Sequence, residues 1–384
     1  MRRGTYVRWG VPVAVAAVIG AAIGAGPVIA AVSGDPVLPE RSAQQLLADA
    51  AAANSRAGGV PPMSGTVQQT ASLGLPALPQ AADTSPLSLL SGSHEVKVWY
   101  GAHDKMRLAI PTQLNETNLI LNGKQGWYWD SSTNTATRLT VKEGAGREHR
   151  TPMPQPSDLT PQQVAERLLA DAEKYTDIRV INTAEVAGRP AYQLVLAPKA
   201  EGSLVQEVRI ALDGETYVPL QVQVYAKGSA EPAFQVGFTQ VTFTPPAPEN
   251  FAFTPPAGAK VEEKTLGEQS GERAEKRAEK AEDVKDRVKV VGDGWASVAV
   301  LPFDQKELAA TAERTPENGE RFGGDADPGA LLDSVLKSAT PVSGPWGSGK
   351  LIKTKLVTAL LTDDGRLLVG PVTPEEITKA AGIR

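Results

Sequence analysis

Three histidines, His94, His103 and His149, are the only imidazoles in the chain, and each lies in or beside a polar stretch. Metal binding needs ligands clustered at set spacings, and acid–base catalysis needs an imidazole or carboxylate held against a partner. No pair of these histidines has such a spacing, and His103 beside Asp104 reads as a solvated turn. There is no Gly-x-Ser-x-Gly elbow and no His-Glu-x-x-His helix. The run Gly344-Pro345-Trp346-Gly347-Ser348-Gly349-Lys350 spells the start of a phosphate-binding loop, but Leu351 stands where a Ser or Thr would hold magnesium. A helix is expected before it and a strand after it, the reverse of that motif, so it is taken as a glycine-rich connection. Carboxylates are plentiful but concentrate in residues 262–289, so no acid–base pair can be named. Without cysteine the chain has no disulfide, thiolate ligand, thiol nucleophile or acylated N-terminal cysteine. The inventory points away from an enzyme, including an exported hydrolase, and toward no metal and no cofactor.

Binding is what remains. A formal charge of −5 and the lack of a basic stripe argue against nucleic acid. Arg2, Arg3 and Arg8 precede an apolar run from Val11 to Val32, and Val28-Ile29-Ala30 resembles a small-residue cleavage site. The run is about 20 residues, long enough to cross a bilayer, so residues 1–34 read as either a signal peptide or a retained anchor. On both readings the arginines stay cytoplasmic and the rest of the chain is exported, into the cell envelope or beyond.

The elements that follow are mostly strands. Asn122-Gly123 reads as a tight turn leading into Gln125-Gly126-Trp127-Tyr128-Trp129-Asp130, with Trp127 and Trp129 on one face. Val96, Val98 and Tyr100 alternate, as do Met106, Leu108 and Ile110, then Leu119 and Leu121. Later come Tyr192, Leu194 and Leu196, then Val208, Ile210 and Leu212, with Asp213-Gly214 as a hairpin turn. Val222 and Val224 and then Phe234, Val236 and Phe238 complete the alternation. A helix from Ser42 to Ala53, N-capped by Ser42 and closed by Gly58-Gly59, precedes a first strand at Met63 to Thr70. A second helix runs from Thr160 to Asp171, with Pro161 at its first position and Gln163 in a capping box. Leu73 to Gly92 is a long loop or insertion. This order argues for one curved antiparallel sheet with helices on one side.

Residues 262–289 are dense in mixed charge and nearly free of large apolar side chains, the pattern of a linker. Residues 290–384 read as a small α+β domain. It has a strand at Trp295–Phe303, a helix at Ala330–Ala339, a hairpin through Asp363-Asp364-Gly365 and a capped helix from Thr373.

Two helices leave part of a curved apolar face uncovered, and hydrocarbon lodged there would gain roughly 0.8 kcal/mol per methylene. The expected wall is Leu108, Ile110, Leu119, Leu121, Trp127, Trp129, Leu194, Leu196, Val222 and Val224. A register shift of one residue would place the opposite parity inside.

Three segments carry a family resemblance. Met63-Ser64-Gly65-Thr66-Val67-Gln68-Gln69-Thr70, Asn122 to Asp130, and Phe251-Ala252-Phe253 through Val261 resemble strands of LolA/LprG-type lipid and lipoprotein carriers. Gly292-Asp293-Gly294-Trp295-Ala296-Ser297 and Leu368 to Ile377 resemble the second domain of MucB/RseB proteins. The resemblance implies a half-open β-barrel with a helical lid over residues 35–261, an apolar cavity for lipid or lipoprotein acyl chains, and a small domain for protein contacts. It also implies an alternative role, that of an envelope-stress sensor acting on a membrane-bound anti-sigma factor. The acylated cysteine of some carriers is missing here.

Overall fold

The computed structural model describes residues 38–55, 59–74, 91–141, 169–266, 288–303 and 336–383. Among them, a large sheet is built from β1 (Met63–Ser72), β2 (Ser91–Ala102), β3 (Lys105–Pro111), β4 (Glu116–Asn122), β5 (Gln125–Asp130), β6 (Thr135–Val141), β7 (Thr176–Val186), β8 (Arg189–Pro198), β9 (Val205–Asp213), β10 (Pro219–Ala226), β11 (Pro232–Thr242) and β12 (Lys260–Leu266). Their order across the sheet is β12-β6-β5-β4-β3-β2-β1-β11-β10-β9-β8-β7. Two antiparallel meanders, β2–β6 and β7–β11, therefore flank β1. Only β12 joins in parallel, beside β6.

Local sequence explains the meanders. Gly123 at φ 63° leads the turn between β4 and β5, the position where a type II′ hairpin demands glycine. Asn122, expected inside that turn, instead stays in β4 opposite Gln125. Asp213-Gly214 does not make a two-residue turn either. The connection runs to Pro219, with Tyr217 at φ 58°, and the buried Asp213 carboxylate organises it. That carboxylate accepts from the Thr216 amide at 2.8 Å, the Thr216 hydroxyl at 2.9 Å and Arg189.

The sheet is open but strongly curled at one end. β7 and β11 touch, although a flat sheet would hold strands that far apart in the order at about 19 Å. The rolled half encloses Tyr192, Leu194, Leu196, Val208, Val222, Val224 and Val236. Helix α1 (Ala43–Ser55) inserts the fully buried Leu46 into this cluster. The helix starts with a capping box: Ser42 Oγ accepts from the Gln45 amide at 3.1 Å, and Gln45 Oε1 accepts from the Ser42 amide at 3.0 Å.

A second sheet has the order β13-β14-β18-β17-β16-β15, formed by β13 (Lys289–Val291), β14 (Val298–Pro302), β15 (Thr340–Gly344), β16 (Gly347–Lys353), β17 (Thr358–Thr362) and β18 (Arg366–Gly370). Helix α2 (Pro374–Ala381), N-capped by Thr373, packs Ile377, Ala380 and Ala381 against Val298, Leu360 and Leu368.

Several expectations change. Trp295 is not in a strand but in a 3-10 turn (Gly294–Ala296), and the strand begins at Val298. The Gly344–Lys350 run is a tight hairpin between β15 and β16, with a strand rather than a helix before it. A Cβ at Gly349 would lie 2.3 Å from the Leu361 carbonyl oxygen, so this glycine serves close strand packing rather than phosphate. Residues 262–266, expected in the linker, belong to β12, where Glu262 and Glu263 face outward at a sheet edge. The expected segments 1–34, most of Thr160–Asp171, most of Leu73–Gly92 and most of Ala330–Ala339 lie outside the described residues. Among the described residues no helix is long and apolar enough to cross a membrane.

Candidate functional site

Residues directly opposite in a β-ladder share a face, so the register sorts the expected wall. Leu119 pairs with Leu108 and Tyr128, Leu108 with Val98, and Leu121 with Met106. Leu108, Ile110, Leu119 and Leu121 thus share one face. Trp127 and Trp129 pair instead with Ile120 and Asn118, on the opposite face. The indoles follow the parity that the leucines do not, so a wall containing both is ruled out by the pleat.

The leucine face continues into the rolled half. β1 keeps the same register against β2 at both of its ends, Met63 opposite Tyr100 and Ser72 opposite Ser91, which sets Val67 across from Val96. Val67 pairs with Phe238, and Gln69 with Val236. Val236 pairs with Val222, Val222 with Ile210, and Ile210 with Leu194. Leu194, Leu196, Val222 and Val224 therefore lie on the same face as the leucines, with the buried Gln69 as a polar interruption between the two halves.

The two halves differ in cover. Leu194, Leu196, Val222 and Val224 are buried beneath α1 at one end and Trp295 at the other, so that part of the wall is filled by the protein's own side chains. Val98, Met106, Leu108, Ile110 and Leu121 are only half-buried, and Leu119 is 36% exposed. This half is an apolar surface of about one side chain per strand step, bordered by the Tyr128 phenol. Burial, with the charge of Asp130 added, pushes that phenol above its usual range, against a hydrogen bond to Thr117.

Trp127 and Trp129 have a packing role on the other face. After β11 the chain crosses that face as a strap. Phe251 is buried beside Gly101, where a Cβ would come 3.0 Å from its ring, and its carbonyl oxygen accepts from the Asn122 side chain at 3.4 Å. Phe253 then sits 5.5 Å from Trp127 and 6.0 Å from Trp129, ring centre to ring centre. The strap ends at the β5–β6 turn, where Asn134 donates to the Gly258 carbonyl at 2.9 Å, and β12 follows beside β6. Arg107 stacks over Trp99 and Arg138 over Trp127 on the same face.

The small domain is docked on the rolled half. Ser203 and Val372 form a bridge, the Leu204 amide donates to the Pro371 carbonyl at 2.8 Å, and the Thr373 amide donates to the Gly202 carbonyl at 2.9 Å. Lys355 donates from its amide to the Leu73 carbonyl at 2.8 Å and from Nζ to the Ser72 hydroxyl at 2.9 Å. Trp295 enters the large sheet's own core and donates from its indole nitrogen to the Thr176 hydroxyl at 2.9 Å.

No family model matches this chain, and no curated protein does either. Among solved structures, the Pseudomonas aeruginosa MucA/MucB complex is similar at 14% identity and a TM-score of 0.39, over 88% of this chain and 96% of that one. An uncharacterized conserved protein from Thermus thermophilus is similar at 13% identity and a TM-score of 0.31, over 58% of this chain and all of that one (100%). A LolA superfamily protein from Nitrosomonas europaea is similar at 11% identity and a TM-score of 0.21, over 56% of this chain and 99% of that one.

Chemically, the half-covered face offers mainly hydrocarbon contact. Its polar groups include Tyr100, Thr117, Tyr128, Asp130 and Thr137, with Tyr128 and Thr117 hydrogen-bonded to each other. A separate cleft of about 440 Å³ near the start of α1, lined by Glu40, Arg41, Ser42, Gln45, Val180 and Asn182, is polar and lies away from the leucines. Two contributors are not expected from the sequence: Val98, whose alternation is visible but whose face is not, and Trp295, which the pattern places in a strand. The glycines around Trp295 are the available signal. Gly292 at φ 82° and Gly294 at φ 54° adopt the left-handed conformation that turns the indole out of the small sheet.

Proposed function

We propose that this protein is exported and, without catalysing a reaction, holds acyl chains of lipids or lipoproteins against the β2–β5 face. One observation carries the reading. Leu108, Ile110, Leu119 and Leu121 line up on one face of adjacent strands, continuous with a buried core, yet keep substantial exposure. Apolar side chains in such a row are stabilised by whatever hydrocarbon covers them, at roughly 25 cal/mol per Å². The Arg-flanked apolar N-terminus supports export, with residues 35–261 as the carrier domain and 290–384 as a second domain. Native mass spectrometry after gentle purification tests the idea, together with titration of a fluorescent fatty acid. A ligand-free protein that also ignores the probe would sink it.

A second reading has one specific support. The edge strand β15 is short, exposed and, among the described residues, bordered by no further strand on its outer side. Addition of a strand by a partner peptide uses such edges. On this reading the small domain contacts a membrane-bound regulator such as an anti-sigma factor. Site-specific crosslinking from Val342 in cells separates the two. Capture of lipids or lipoproteins alone counts against the regulator.

A further inference from the structure

Resting on the acyl-chain reading, we propose that Asp130 and Tyr128, at the β5 side of the leucine face, form a headgroup site that favours acyl ligands carrying a cationic nitrogen. The apolar patch is closed on one side and polar on the other. Toward β1 it runs into filled core, with Val67 at 0% and Val96 at 2% exposure, so hydrocarbon cannot advance that way. Toward β5 the same face changes chemistry. Leu108 stands opposite Leu119 and Leu119 opposite Tyr128, while one row along Ile110 stands opposite Thr117 and Thr117 opposite Asp130. Tyr128 and Asp130 are alternate residues of β5, so both side chains project from the leucine face. An amphiphile whose tail covers β2–β4 brings its head over this pair.

The pair suits a cation. Asp130 Oδ1 accepts from the Ser132 amide at 2.9 Å and from its hydroxyl at 2.6 Å, and among the described residues the carboxylate has no ion-pair partner. The lysine in its row, Lys260, is held by Glu262 at 2.6 Å instead. Burial, and after it the Asp130 charge, keeps the Tyr128 phenol neutral beyond its usual range, so the ring adds no charge and offers its face to a cation. An anionic head in the same place meets Asp130 with like charge.

The test is calorimetric titration of the full chain with dodecylammonium and with dodecanoate, which share a tail length, below their micelle concentrations. The ammonium is expected to bind about tenfold more tightly than the carboxylate. Asp130→Asn, which keeps the Oδ1 acceptor for Ser132, should erase most of that ratio. Glu185→Gln removes the same unit of charge from an exposed position on β7 and should leave the ratio as in the wild type, which controls for the overall charge of −5. A wild-type ratio near one, or a ratio that the two variants change alike, overturns the headgroup site while leaving the acyl-chain reading intact. Absence of binding by either amphiphile overturns both. Should Asp130→Asn fail to fold, the wild type decides with a dodecylammonium bearing a nitroxide beside its nitrogen. That probe should broaden the amide signals of Asp130 and Ser132 before those of Met106 and Leu121, and the reverse order overturns the site.

Discussion

The Trp295 indole nitrogen and the Thr176 hydroxyl meet at 2.9 Å, although Thr176 opens a strand of the large sheet and Trp295 lies in the turn before β14, and both are buried. This bond and the Ser203–Val372 bridge join two separately cored units into one assembly. Thr176→Val leaves a buried N–H unpaired, which costs about 1–3 kcal/mol. The docked state is weakened accordingly, and the amides of Leu204 and Thr373 should exchange with deuterium roughly five- to a hundredfold faster. Unchanged protection at those amides would show that the bond does not hold the domains together.

The opposite facing of Leu119 and Trp129 makes two substitutions behave differently. Leu119→Glu alters a partly exposed position, so stability should move by about 0.5 kcal/mol or less. It places a charge where hydrocarbon would lie, and fatty-acid affinity should fall about tenfold or more. Trp129→Ala should cost about 3–5 kcal/mol of stability through the strap and leave the affinity unchanged. Urea melts and probe titrations on both variants check this pair of outcomes. The reverse pattern would place cargo on the indole face.

Asp213 predicts a pH dependence. Burial pushes its carboxyl upward, but hydrogen bonds from Arg189 and Thr216 outweigh that and hold it below the usual carboxylate range. A group depressed in the folded state stabilises the protein above its unfolded value, near pH 4, and loses that contribution as the pH falls further. Acid unfolding should therefore begin in that region, and Asp213→Asn should flatten the dependence there while lowering stability at neutral pH. A melting series across acidic pH reads this directly. An unaltered slope in the variant would remove Asp213 from the account.

Two left-handed glycines should respond differently to alanine. At Gly123 a Cβ would meet nothing within 4 Å, so only the backbone penalty of about 1–2 kcal/mol applies. At Gly294 the same penalty is joined by a 2.5 Å approach to the Tyr175 ring. Gly294→Ala should be the more destabilising of the two and should also loosen the domain contact. Denaturant melts of both variants give the comparison, and equal losses would contradict the close approach.

Much of the large sheet is legible in the sequence because strand alternation is a period-two signal that survives in single segments. The face set of Leu194, Leu196, Val222 and Val224 follows from it, and the Ser42 cap is legible separately, as a serine standing just before a helical run. Parity across a hairpin is legible only once the turn length is fixed. Leu119 and Trp127 each alternate cleanly, and the two-residue turn sets Leu119 opposite Tyr128, so they point apart. Starting that turn at Gly123 rather than Asn122 slides β5 by two places and leaves the parity unchanged. Trp295 misleads for a related cause. Val298-Ala299-Val300 carries a strong strand pattern, and the turn before it is dictated by Tyr175 and Thr176, residues distant in sequence. Parallel addition of β12 is hidden as well, since Lys260-Val261-Glu262-Glu263-Lys264 has the composition of a spacer.

The strap also bears on the order in which the molecule assembles. Strands β2 to β6 are joined by near-neighbour hairpins, whereas the Asn122–Phe251 contact spans 129 positions of chain. Near-neighbour hairpins close quickly and remote contacts late, so Phe253 should lock down after the rate-limiting step. Phe253→Ala should then accelerate unfolding and leave the refolding arm of a chevron nearly untouched. A slowed refolding arm would mean that the strap is laid early. If it is laid last, it is the latch whose release governs how long the meander survives under denaturing stress.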